Sequence, residues 1–118
     1  MGPKRVLIVS DELDRKNFLE FHVRLRSLRP VWYPNILSAR LALKADPFAL
    51  AIVDLGIPVE PKLELIKQCN ENRPELPVVS IGKTEYLSQI LSLASFASLT
   101  CLDSIQSVPD FLEERILC

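Results

Sequence analysis

Short apolar runs alternate with longer amphipathic stretches along the chain. Arg5 to Val9 is continuous and β-branched, which predicts a strand buried on both faces of a parallel sheet. Ala49 to Val53, Val78 to Ile81 and Leu99 to Leu102 read as further strands. Val31-Trp32-Tyr33 is cut short by Pro34, which cannot donate to a sheet ladder, so this strand is predicted at a sheet edge. Between the strands, Leu13 to Leu28 repeats Phe18, Phe21, Leu25 and Leu28 at spacings of three and four. Arg15, Lys16, Arg24 and Arg26 fall largely on other faces, so an amphipathic helix is expected, capped by Asp11 or Asp14 and ended by Pro30.

Ser38 to Ala45 is built of good helix formers and is interrupted at Asp46-Pro47. Pro61 suits the first turn of a helix running to about Asn70, with Leu63, Ile66 and Cys69 on one face. Thr84 to Ser95 is the next predicted helix. The last runs from about Val108 to Leu117, with Ser107 as its N-cap and Asp110 three residues on. Strands alternating with helices require right-handed βαβ crossovers and a sheet covered on both faces, so residues 1–118 are predicted to form one doubly wound α/β domain. Ligands in such sheets bind outside the carboxyl ends of the strands. Asp11, Asp54 and Gly82 each follow a strand and map to that edge.

Composition narrows the function classes. The chain has 118 residues, 48% of them hydrophobic and 25% charged, as in an ordinary globular domain. A net charge of -1 and the lack of a Lys/Arg block argue against direct nucleic-acid binding. No apolar stretch approaches the roughly 20 residues of a membrane span, and Met1 to Arg5 leads into a strand rather than a signal segment, so a cytoplasmic protein is expected. Cys69, Cys101 and Cys118 lack paired spacing and fit reduced thiols, with Cys101 in the core and Cys118 exposed.

Two sharper motifs fail. Gly82-Lys83-Thr84 resembles the end of a phosphate-binding loop, but the earlier glycine it needs falls at Pro77. The sole histidine, His22, lies inside a helix, and no Gly-x-Ser-x-Gly elbow exists, so a hydrolase triad is excluded. Trp32 is expected to pack against the sheet edge.

Val6-Leu7-Ile8-Val9-Ser10-Asp11-Glu12 and Ile52-Val53-Asp54-Leu55-Gly56-Ile57-Pro58 together resemble the receiver domain of bacterial two-component response regulators. Pro61 to Asn70 looks like that family's third helix and Leu76 to Ile81 like its fourth strand. The resemblance implies a flavodoxin-like (βα)5 fold with a five-stranded sheet of order 2-1-3-4-5, and no enzyme activity. It implies Asp54 as phosphoacceptor from a histidine kinase or phosphotransfer protein. Mg²⁺ would neutralise the transferring phosphoryl group, held by Asp11, Asp54 and the backbone carbonyl of Gly56.

Departures from the family pattern mark a degenerate member. Ser10 replaces one acid of the pair after the first strand, while Glu12 reads as a first-turn helix acid. Gly82 replaces the hydroxyl residue after the fourth strand. Ser104 stands at the lysine position, Ile105 at the following proline and Cys101 at the aromatic switch position. Lys83, next to Gly82, has a stem long enough to replace the missing cation, but a solvated loop lysine is the preferred reading. The competing expectation is a phosphorylation-independent interaction module that docks a partner or forms a homodimer through the 84–95 helix, the Leu99–Leu102 strand and the last helix. A flavodoxin-like nucleotide or flavin binder ranks below both, because no phosphate-cradling glycine loop is present.

Overall fold

Five strands form one parallel sheet in this computed structural model, which describes residues 4–54, 59–82 and 99–117: β1 (Arg5–Ser10), β2 (Arg29–Tyr33), β3 (Leu50–Asp54), β4 (Val78–Ile81) and β5 (Leu99–Leu102). Their order is β2-β1-β3-β4-β5, with every neighbouring pair parallel. Helices α1 (Leu13–Leu25), α2 (Ile36–Ala45), α3 (Val59–Asn72) and α4 (Val108–Leu117) are described with them. The expected 84–95 helix, Lys83, Gly56 and Cys118 lie outside the described residues.

The pleat explains why the central strands read as unbroken apolar runs. Val6, Ile8, Leu50, Ile52, Val79 and Ile81 point to one face and pack with Leu19 and Val23 of α1 and Val108 and Leu112 of α4. Leu7, Val9, Ala51, Val53 and Val78 point to the other, against Ala39 and Leu43 of α2 and Leu65, Ile66 and Cys69 of α3. Alternate residues of a strand face opposite ways, so a sheet covered on both sides needs apolar groups at every position. Asp54 continues the Leu50–Ile52 series and is directed to the α1 side. The β1–β3 register pairs it with Ser10.

Several expected boundaries move. α1 ends at Leu25, not Leu28, because Arg26 takes the C-cap position and Ser27 adopts a left-handed φ of 60°. Pro30 lies inside β2, where an edge strand tolerates its missing N–H. Asn35 caps α2, its side chain accepting a hydrogen bond from the Ser38 amide at 2.9 Å, so the helix begins two residues earlier than expected. α3 runs from Val59 to Asn72, which places Pro61 in its first turn as expected and carries the helix two residues beyond Asn70. α4 starts at Val108 as expected, and a 3₁₀ turn over Ile105–Ser107 precedes it, capped by Ser104, whose Oγ accepts from the Gln106 amide at 3.1 Å.

Two expectations about burial are corrected. The sheet-facing stripe of α1 is Leu19 and Val23, flanked by Phe18, whereas Phe21 and Leu25 are exposed. The periodicity of Phe21 and Leu25 predicts that they face inward, but the sheet selects the stripe that packs with Val6 and Ile8. Cys101 is half-buried rather than a core residue, as are all four residues of β5, the other edge strand.

Candidate functional site

The β1–β3 pairing sets Ser10 beside Asp54 at the carboxyl edge of the sheet. Asp54 is 4% exposed, and Ser10 Oγ donates to its Oδ2 at 3.1 Å. A carboxylate this deep requires donors or a counter-charge, since burying a bare anion is costly. Arg15, in the first turns of α1, supplies both. Its Nε donates to Oδ2 at 2.8 Å and its Nη2 to Oδ1 at 2.6 Å. This fork geometry matches guanidinium to carboxylate and gives the strongest side-chain ion pair available to a protein.

Arg15 reaches Asp54 by helical phase. It lies four residues before Leu19 and eight before Val23, at the amino-terminal end of the buried stripe of α1. Its guanidinium is therefore aimed at the β3 end. The hydrogen bond with Asp54 raises the Arg15 pKa, against an opposing effect of burial and with help from the Asp54, Glu12 and Asp11 charges. Asp11 itself is exposed.

Lys62 enters from the other side. Its side chain is buried, and its Nζ donates to the carbonyl of Ile81 at the end of β4. Burial lowers the Lys62 pKa, opposed by the charges of Asp54 and Cys101, while Arg15 adds to the lowering. Burial likewise raises the Cys101 thiol, opposed by the Lys62 charge. Gly82 follows β4, its amide donating to the Leu102 carbonyl at 3.0 Å. Trp32 closes the β2 side: its Nε1 donates to the Ser10 carbonyl at 2.9 Å, and Lys16 Nζ sits 4.7 Å from its ring centroid.

The structure thus brings Ser10, Asp54, Gly82 and Cys101 to one edge with Asp11 at its rim. Ser104 is exposed and engaged in its cap. Sequence reasoning missed Arg15 and Lys62, although each carries a signal: a cation at the start of a helix's buried stripe. Leu65, Ile66 and Cys69 are buried on the same side of α3 as Lys62, whereas the expected stripe began at Leu63, which is half-buried.

These residues fit a resident Mg²⁺ poorly. The metal needs open carboxylate oxygens, yet three donor groups already address the two oxygens of Asp54. Among the described residues no group of three His, Cys, Asp or Glu side chains gathers to hold a metal ion. No described helix is long and apolar enough to cross a membrane.

No family model matches the chain. It is 30% identical over 103 residues to the response regulator protein PilR of Pseudomonas aeruginosa, covering 85% of this chain but 23% of that protein. It is 28% identical over 78 residues to the response regulator receiver protein CpdR of Brucella abortus, covering 66% of this chain and 65% of that one. The chain therefore spans about a quarter of the first relative's length and just under two thirds of the second's. A CheY-like receiver domain from Methanospirillum hungatei superimposes with a TM-score of 0.79 at 17% identity, covering 98% of this chain and 94% of that one. TrrA of Thermotoga maritima, in complex with Mg²⁺ and BeF, gives 0.78 at 20% identity, covering 97% and 96%. These likenesses establish the flavodoxin-like fold.

Proposed function

We propose that this chain, a receiver domain of the response-regulator class and so a signalling module rather than an enzyme, works in two-component signalling without phosphoryl transfer to Asp54. The observation that carries the reading is the Arg15 fork. An acceptor carboxylate must present a free oxygen in line with the donor, beside a cation that neutralises the moving phosphoryl group. Here both oxygens of Asp54 accept from Arg15 and one also from Ser10. The guanidinium supplies the positive charge that a metal ion would otherwise bring.

In this reading residues 1–118 form one pseudo-receiver unit, degenerate in its phosphate-reading positions, that signals in the cytoplasm by protein–protein contact. Docking of a partner, or pairing of two copies, would use the surface around Leu99–Leu102 and α4 together with residues 84–95. Gly82 and Ser104 support the reading, since Gly82 lacks the hydroxyl and Ser104 the cation that read a phosphorylated aspartate in the family pattern.

The second reading keeps Asp54 as phosphoacceptor for a histidine kinase or phosphotransfer protein, with Mg²⁺ weakly bound by Asp11, Asp54 and the Gly56 carbonyl. It is favoured by the position of Asp54 at the carboxyl end of β3, with Asp11 exposed near it. Incubation with a small phosphodonor and Mg²⁺ separates the two. The first predicts no acid-stable or acid-labile mass gain, and the second predicts a gain that Asp54→Asn abolishes.

A further inference from the structure

Lys62 is out of place by polarity. It shares its side of α3 with Leu65, Ile66 and Cys69 and is only 4% exposed. Lysine is rarely buried so deeply without partners. Its ammonium donates to the Ile81 carbonyl, and its charge is favoured by Asp54 and Cys101. The next residue along from Ile81 is Gly82. A Cβ built there would lie 2.9 Å from Lys62 Nζ, closer than non-bonded carbon and nitrogen approach.

A side chain at 82 and the ammonium of Lys62 therefore compete for one space. The lysine stem is flexible, so the clash itself is relieved if the ammonium moves. What is lost on moving is its bond to Ile81 and its favourable charge interaction with Asp54 and Cys101. Ser104 offers no substitute, because its hydroxyl caps the following turn.

We infer that Lys62 is a positioning residue that supplies the pocket's second cation from α3, in place of the lysine the receiver pattern puts at Ser104, and that Gly82 is a glycine because the ammonium fills the space of its side chain. Two departures from the pattern, Gly82 and Ser104, become one compensated change. Arg15 from α1 and Lys62 from α3 then flank a single buried carboxylate. The inference rests on the metal-free reading above only in treating these two cations as the pocket's positive charges among the described residues.

Cys101 is the built-in reporter, since it is half-buried and the Lys62 charge favours its thiolate. Iodoacetamide labelling of the full chain, followed at Cys101 by peptide mass across a pH series, reads that charge directly. Lys62→Met is expected to move the labelling midpoint to higher pH, and Gly82→Thr to move it the same way by displacing the ammonium. Adding Gly82→Thr to Lys62→Met should produce no further movement.

Gly82→Ala serves as a milder displacement should Gly82→Thr fail to fold, and Lys62→Gln replaces Lys62→Met on the same ground. No movement in the Lys62 variant, or additive movements in the double variant, would overturn the inference. A phosphodonor-dependent mass gain on Asp54 would instead sink the metal-free reading and leave the 62–82 coupling standing.

Discussion

Arg15 and Asp54 are joined by two parallel hydrogen bonds, at 2.8 and 2.6 Å, that tie the first helix to the end of the third strand. The pair is asymmetric in exposure, with the Arg15 side chain 37% accessible and that of Asp54 4%. Removing the arginine therefore strands a buried carboxylate, while removing the aspartate frees a cation that water can reach.

Arg15→Ala should destabilise the fold by about 1–3 kcal/mol. Breaking a fully buried pair costs about 3–5 kcal/mol, and the partial exposure of Arg15 reduces this. Arg15→Lys should fall between wild type and Arg15→Ala, because it keeps the charge and loses the fork. Urea unfolding midpoints measure both. An Arg15→Ala variant as stable as wild type would mean that the pair contributes nothing.

Ser80, on the sheet between Val79 and Ile81, is 1% exposed, and among the described residues its Oγ has no hydrogen-bond partner. A buried hydroxyl without a partner carries a desolvation cost that a methyl group does not. Ser80→Ala should be neutral or stabilising by up to about 1 kcal/mol. A loss larger than about 1 kcal/mol in thermal unfolding would show that the hydroxyl makes an interaction of its own.

Cys69 predicts an alkaline limit. Burial pushes its thiol from 9.0 up to about 11, against smaller opposing effects of Arg73 and a backbone hydrogen bond. A folded-state value above the unfolded one gives stability that is complete below pH 9 and lost as pH rises through about 11. The loss should reach about 2–3 kcal/mol. In Cys69→Ala, unfolding free energy should fall less steeply between these limits. An unchanged slope would assign the alkaline loss elsewhere.

His22 predicts the opposite limb. It lies against Phe18, with ring centroids 4.5 Å apart, and Phe21, at 5.2 Å, while burial first and the Arg26 charge second lower its pKa below 6.5. The unfolded chain then takes up the proton first as pH falls, so stability should decline on acidification below about 6.5. His22→Gln should flatten that part of the profile, read as urea midpoint against pH. A variant that keeps the full slope would contradict the assignment.

Much of the fold was legible because its physics is local. Val6 to Val9 and Ile52-Val53 announce two-sided burial by having no polar alternation, and the β–α alternation leaves few topologies. The stripe of α1 is ambiguous in the sequence, since Phe21 and Leu25 form as regular a series as Leu19 and Val23. Which series faces the sheet is decided only by packing against Val6 and Ile8.

The site was legible in its acids and not in its cations. Asp54 and Asp11 are marked by following strands, whereas Arg15 and Lys62 declare themselves only once the buried stripes of α1 and α3 are known. Lys83, the cation that chain proximity to Gly82 suggested, lies outside the described residues. Lys62 lies twenty residues before Gly82 in the chain and reaches it through the fold.

Arg15 holds Asp54 in an internal ion pair that occupies both carboxylate oxygens, the atoms a metal ion or phosphoryl group would need. Trp32, bonded to the Ser10 carbonyl beside Asp54, provides the signal. Its fluorescence should be unchanged across a millimolar Mg²⁺ titration of the wild-type chain and should respond saturably in Arg15→Ala, where the Asp54 oxygens are released. A saturable response in the wild-type chain that Asp54→Asn abolishes would contradict the account.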